Sequence, residues 1–174
     1  RHSKQEFVPA YLEKVGRADR IRIKAAHSLT MAQISTLMEE MRPAVIIIDM
    51  VANIRGGNAE SEHQNLEARW QELRILGCEN DCAVIGTMQL SLEGYNMLYP
   101  PLTAMKQSKI GVQGALDLAL MMGCLDRNEH PQMQGVRGIS TPKNKLALSG
   151  KESLLQFEVN FQPGRCKFED GSRP

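Results

Sequence analysis

The sequence is poor in aromatic residues, carries almost no net charge and has no long apolar run. Eight aromatics in 174 residues leave the core to aliphatic side chains and to ten methionines, an adaptable filling. Lys and Arg outnumber Asp and Glu by 21 to 20. No global basic field therefore announces nucleic acid, and any such contact has to come from a local patch. No apolar stretch approaches the ~20 residues that cross a bilayer, and no secretory signal pattern opens the chain. The four cysteines include one C-x3-C pair, Cys78 and Cys82, with no second pair or histidine cluster at zinc-site spacing. They read as reduced, mostly buried thiols of a cytosolic protein. His27, His63 and His130 have no carboxylate or cysteine at ligand spacing and are given no role.

What is there is ordinary globular material, 42% apolar and 24% charged, enough for one domain with a core. Residue 1 is Arg rather than Met, which reads as a trimmed chain or a fragment. The most informative stretch is Ala44-Val45-Ile46-Ile47-Ile48-Asp49-Met50. An unbroken apolar run that ends on a carboxylate predicts a strand covered on both faces, as in a parallel sheet between helix layers. Ligands of such sheets bind beyond the carboxyl ends of the strands, where Asp49 falls. In nucleotide-hydrolysing folds a carboxylate there holds magnesium through water; an acid that merely ends a buried strand is equally ordinary.

The flanking segments support an α/β order. Residues 1–15 hold a helix candidate ended by Gly16, and Arg20-Ile21-Arg22-Ile23-Lys24 alternates as a charged edge strand would. Thr30 and Gln33 stand at capping-box spacing. Ile34, Leu37, Met38 and Met41 follow on one helical stripe, and Pro43 stops it. Residues 51–64 read as an exposed loop. Leu66, Trp70, Leu73 and Leu76 mark a second helix with Trp70 in the core, closed by Gly77. Residues 82–88 give another buried strand, ending on Gln89. Residues 91–114 read as one long loop, the kind that is usually functional or disordered. A third strand candidate spans 116–122. Residues 136–139, 145–148, 154–161 and 165–168 look like short antiparallel strands with turns at Ser149-Gly150-Lys151 and Pro163-Gly164.

Taken together, these pieces resemble the carboxyl-terminal part of a RecA-like motor domain of the replicative DnaB-like helicases and phage primase-helicases. Ile46-Ile47-Ile48-Asp49 resembles the Walker B strand. Val84-Ile85-Gly86-Thr87-Met88-Gln89-Leu90 is similar to the strand whose terminal Gln or His senses nucleotide and DNA. Lys106-Gln107-Ser108-Lys109, with Gln113, Ala115 and Asp117 after it, resembles the DNA-binding loop. Pro142-Lys143-Asn144-Lys145 stands where the family has a K-x-R element, and residues 157–170 resemble its final hairpin, with Phe168-Glu169 as the aromatic-acidic pair. The resemblance covers residues 18–170 of a single domain, 1–174. Two departures stand out. There is no G-x-x-x-x-G-K-[ST] phosphate loop, and Lys145 occupies the arginine-finger position, leaving Arg137 as the nearest other basic candidate.

The resemblance implies an α/β, RecA-like three-layer fold with a largely parallel central sheet and a carboxyl-terminal antiparallel hairpin region, lacking the first strand and phosphate-loop helix. It implies part of an ATP-dependent DNA helicase that acts as a ring-shaped homo-oligomer, a hexamer, on single-stranded DNA, with ATP and Mg2+ as cofactors and no membrane. Asp49 would hold Mg2+ through water and Gln89 would sense nucleotide. Lys143 and Lys145 would reach a neighbouring subunit's nucleotide, and Lys106, Gln107, Ser108 and Lys109, with Arg55, would contact DNA. Tyr95 and Tyr99 would stack on bases or pack their loop. This chain alone would not hydrolyse ATP, because the nest of amides for the β-phosphate is missing. Two rival readings stay open: another RecA-type ATPase, such as a recombinase or signalling ATPase, or a non-enzymatic DNA-binding or assembly module.

Overall fold

A computed structural model describes residues 4–25, 28–57, 59, 61–106 and 110–171. Helix α1 (Lys4–Val15) ends at Gly16, whose φ of +81° is left-handed and costs glycine nothing. Helix α2 (Met31–Met41) starts on the capping box. The Gln33 amide donates to Thr30 Oγ1 at 3.4 Å and the Thr30 amide donates to Gln33 Oε1 at 3.0 Å. Two otherwise orphaned donors are thereby satisfied. Met31, Ile34 and Met38 of its stripe are buried.

Strand β1 (Val45–Ile48) pairs in parallel with β2 (Ala83–Gly86). Helix α3 (Glu62–Glu79) joins them and packs its Leu66, Trp70, Leu73 and Leu76 into the core. The approach is close: a Cβ on Gly86 would overlap the Trp70 ring and Val51, and one on Gly77 would meet Val84. The short helix α4 (Ile110–Ala115) packs on α3. The chain then runs through a four-stranded antiparallel sheet in the order β3 (Leu118–Gly123), β4 (Val136–Asn144), β5 (Gln156–Gln162) and β6 (Lys167–Asp170). The β5–β6 hairpin pairs Phe161 with Phe168 in register, and their rings lie 4.8 Å apart.

Several expectations need correcting. Among the described residues there are two separate sheets rather than one largely parallel sheet. Between β3 and β4 the chain supplies only turns and the short 3-10 segment Pro131–Met133. Without a helix-bearing crossover it returns antiparallel. The β1 and β2 strands are covered on one face only. Ile46, Ile48 and Val84 pack on the core, while Val45, Ile47 and Ile85 stay at least half exposed. Residues 20–24 form no strand; their alternation finds no partner strand among the described residues, and Ile23 is 93% exposed. The 51–64 loop contains a 3-10 turn, Val51–Asn53, with Val51 fully buried, and α3 begins at Glu62 and runs past Gly77 to Glu79. The 91–114 segment includes two 3-10 turns and the start of α4. Residues 145–148 form no strand, whereas β4 continues through Pro142 to Asn144. All four thiols are free, but only Cys82 is buried; burial pushes its thiol pKa upward.

Candidate functional site

The site grows from the finishing ends of β1 and β2. Asp49 follows the last residue of β1, and Thr87 follows the last of β2. The Thr87 amide donates to Ile48 O at 3.0 Å, and the Val51 amide donates to Thr87 O at 3.1 Å. Between these backbone bonds the Thr87 hydroxyl donates to Asp49 Oδ1 at 2.8 Å and accepts the Met50 amide at 2.7 Å. Met50 is left-handed, at φ 64° and ψ 85°, which turns the chain sharply behind the carboxylate. Asp49 is therefore an exposed carboxylate held in one orientation by a neighbouring strand. Thr87 is the residue sequence reasoning missed. It stood inside the quoted strand motif, but only the pairing register brings it against Asp49.

Gln89 is also exposed, three residues beyond β2. Its main-chain oxygen accepts the Lys106 amide at 3.0 Å, and Leu90 forms an antiparallel bridge with Met105. The start of the candidate DNA loop is thus bonded directly to the candidate sensor. Gln107, Ser108 and Lys109 lie outside the described residues; Lys106 is exposed. Arg55 is exposed, and its amide donates to Leu29 O at 2.9 Å, tying the loop after β1 to the entrance of α2. Arg69 fixes this loop from beneath. It is 7% exposed, and its guanidinium donates to Ala52 O at 3.1 Å and Gly56 O at 2.8 Å.

Lys143 and Lys145 do not join Asp49. Asn144 pairs with Leu118 and Lys143 with Ala119, at the start of β3. The finishing ends of β2 and β3 lie together, since Leu90 and Gly123 line one cavity. The lysines consequently sit at the opposite end of the strands from Asp49 and Gln89. Lys145 Nζ lies 3.3 Å from Asp117 Oδ1, which also pairs with Arg74 at 3.4 Å. Lys143 Nζ donates to Gln113 O, and Lys145 Nζ reaches Gly114 O at 3.5 Å. Both ammonium groups thereby meet carbonyls in the last turn of α4, where positive charge is favoured. Burial, reinforced by neighbouring Lys145, holds the Lys143 pKa below the ordinary lysine value. Arg137 is at the other end of β4. It donates to Gln134 O and Val136 O and lies over the Phe161 ring at 5.5 Å.

The Tyr95 hydroxyl is engaged across its loop while the ring stays 66% exposed. Its hydroxyl donates to Asp126 Oδ2 at 2.5 Å, while Asn96 donates to Glu129 at 2.7 Å. That hydrogen bond holds the Asp126 pKa below, and the Tyr95 pKa above, their usual ranges. No group of three or more His, Cys, Asp or Glu residues able to hold a metal occurs among the described residues. Among those residues no helix is long and apolar enough to cross a membrane.

No protein-family model matches the sequence, and no curated protein matches it. The fold does have a solved counterpart. The structure of a DnaB-like replicative helicase, described together with its interactions with primase, is similar over 97% of this chain at a TM-score of 0.77 and 14% identity. This chain spans 42% of that helicase chain. The fold is therefore the one seen in part of a DnaB-like helicase.

Proposed function

We propose that this chain is part of the RecA-like, three-layer motor domain of an ATP-dependent replicative DNA helicase, which translocates on single-stranded DNA and unwinds duplex. The observation that carries the reading is the hydrogen bond from the Lys106 amide to Gln89 O beside the Asp49 strand end. It couples a nucleotide-side group to the root of a basic loop. The fold likeness to part of a DnaB-like helicase supports the same reading.

In the parent, Asp49 holds Mg2+ through a water, oriented by the Thr87 hydroxyl on Oδ1. One carboxylate beside a hydroxyl, with no nitrogen or sulfur, suits a hard cation that keeps most of its waters and takes further oxygens from phosphate. ATP supplies those phosphates, and its hydrolysis provides the free energy for movement. Gln89 contacts the γ-phosphate side and transmits its position through its own main chain to Lys106. Lys106, Gln107, Ser108 and Lys109 track the phosphates of one strand without reading sequence, and Arg55 adds a second contact. Lys143 and Lys145, at the far end of the strands, serve a neighbouring subunit's nucleotide in a ring, a homo-hexamer. Their grip on the last turn of α4 links that nucleotide to the other end of the same DNA loop. The chain alone does not turn over ATP, and the parent works in the cytoplasm.

Binding of this chain to fluorescent single-stranded oligonucleotides tests the DNA half. Lys106→Ala should weaken binding alike for all base compositions and lower the salt slope by about 0.7. An unchanged slope removes the loop from the interface. For the nucleotide half, Asp49→Asn in a parent that carries a phosphate loop should abolish hydrolysis while leaving the fold intact. Unimpaired turnover would refute the assignment.

A further inference from the structure

Helix α4 follows directly on the candidate DNA loop, Ile110 coming next after Lys109, so its placement fixes one root of that loop. Its six residues are far fewer than the roughly 12–15 that an isolated helix needs, and tertiary contacts must hold it. Part of that support is apolar: Val112 and Ala115 are 1% and 4% exposed in the core. The rest is charged and comes from two sides. From α3, the Glu67 carboxyl lies against the first turn of α4, where a Cβ on Gly111 would overlap it. From β4, Lys143 Nζ donates to Gln113 O in the last turn. Lys143 is itself fixed, because its backbone stands in the β3–β4 ladder opposite Ala119. Just beyond the helix, the Lys145 amide donates to Asp117 O at 2.8 Å.

We propose that Lys143 and Glu67 are positioning residues for the DNA loop of their own chain. Lys143 ties the end of α4 to the β3–β4 ladder, Glu67 ties its start to α3, and together they set how the loop leaves the body. The other root is already held, by the Lys106 amide on Gln89 O. A loop fixed at both roots gives up less conformational freedom when a strand binds, which raises affinity without adding a contact. Neither residue touches DNA in this role. The role acts within one chain and needs no neighbouring subunit or nucleotide. It rests on the reading of residues 106–109 as a DNA loop.

The test titrates the 174-residue chain and two variants into a fluorescent single-stranded oligonucleotide over a range of salt, with urea unfolding confirming that each is fully folded. Lys143→Met keeps an unbranched apolar stem and removes the ammonium. It should weaken binding by about two- to five-fold, the effect of one charge at a helix end. The slope of log affinity against log salt should stay at the unaltered chain's value, because no phosphate contact is lost. Glu67→Gln gives the sharper reading. Removing a negative charge should by long-range attraction alone tighten DNA binding, whereas loss of the clamp should weaken it by a similar factor. Amide exchange across α4 should quicken in both variants. A smaller salt slope for Lys143→Met would make that lysine a phosphate ligand and overturn the proposal. Tighter binding by Glu67→Gln would overturn it as well. Unchanged affinity in both variants, on a chain that does bind, would remove this role alone. No binding by the unaltered chain would remove the DNA reading and this role with it.

Discussion

Asp49 was legible in the sequence because a carboxylate after five apolar residues is conspicuous, but its orientation was not. Thr87, which fixes it, stands 38 residues away in the chain, and only the parallel register puts the two side by side. Arg69 was hidden for a different reason. It sits on a helix whose apolar stripe drew attention to its neighbours, and nothing in a helical pattern marks a buried guanidinium. With two loop carbonyls depending on it, Arg69→Met should destabilise the chain by about 2–4 kcal/mol in urea unfolding. Arg69→Lys should recover little, because one ammonium cannot span both carbonyls. A loss below half a kcal/mol would mean that water satisfies those carbonyls. The Tyr95–Asp126 bond makes a prediction with two signs. The lowered Asp126 pKa contributes stability that is present above the usual carboxylate range and lost as pH falls through its folded value. The raised Tyr95 pKa contributes stability that is present below the usual phenol range and lost as pH rises through its folded value. Tyr95→Phe should lower stability at neutral pH, and the gap from the parent should close toward both extremes. Urea midpoints measured across pH check this; a gap independent of pH would dismiss the pair.

At the scale of elements, α2 was readable nearly to the residue because its start signal is chemical: Thr30 and Gln33 cap each other as their spacing requires. The failures share one physical cause, which is that a strand exists only with a partner. Residues 20–24 alternate well but, among the described residues, have no strand partner. In β4 the reverse happened: residues 136–139 and 145–148 read as two short strands, whereas β4 runs unbroken from Val136 to Asn144. Met121 pairs with Ser140 and Ala119 with Lys143, so Thr141 and Pro142 together oppose the single residue Leu120. That two-against-one count is a β-bulge, one of the few places in a sheet where proline fits. The contact of α3 with β2 depends on another small residue. Gly86→Ala would push a methyl into Trp70 and Val51 and should cost about 1–3 kcal/mol through overpacking. The protein has one tryptophan, so its fluorescence reports this site directly. An unshifted spectrum with unchanged stability would show that the ring moves aside freely.

For the whole molecule, motif order pointed toward a mixed helix-and-sheet fold of helicase type although no single motif was specific. The similarity to part of a DnaB-like helicase at 14% identity bears out that likeness, while the three-layer arrangement with one largely parallel sheet is not what the described strands form. The partition into two sheets was not legible, because apolar runs report burial and say little about which edges meet. That partition has a consequence for how the chain comes apart. The β3–β6 meander is built from sequential neighbours, while the β1–β2 pair spans α3 and, among the described residues, shares no ladder bond with it. Two such units need not open together, and local opening follows contiguous cooperative blocks. Native-state hydrogen exchange should show the amides of β4 and β5 opening as one group, with a free energy and urea dependence different from those of β1 and β2. A single common opening energy would mean that α3 welds the two halves into one cooperative unit.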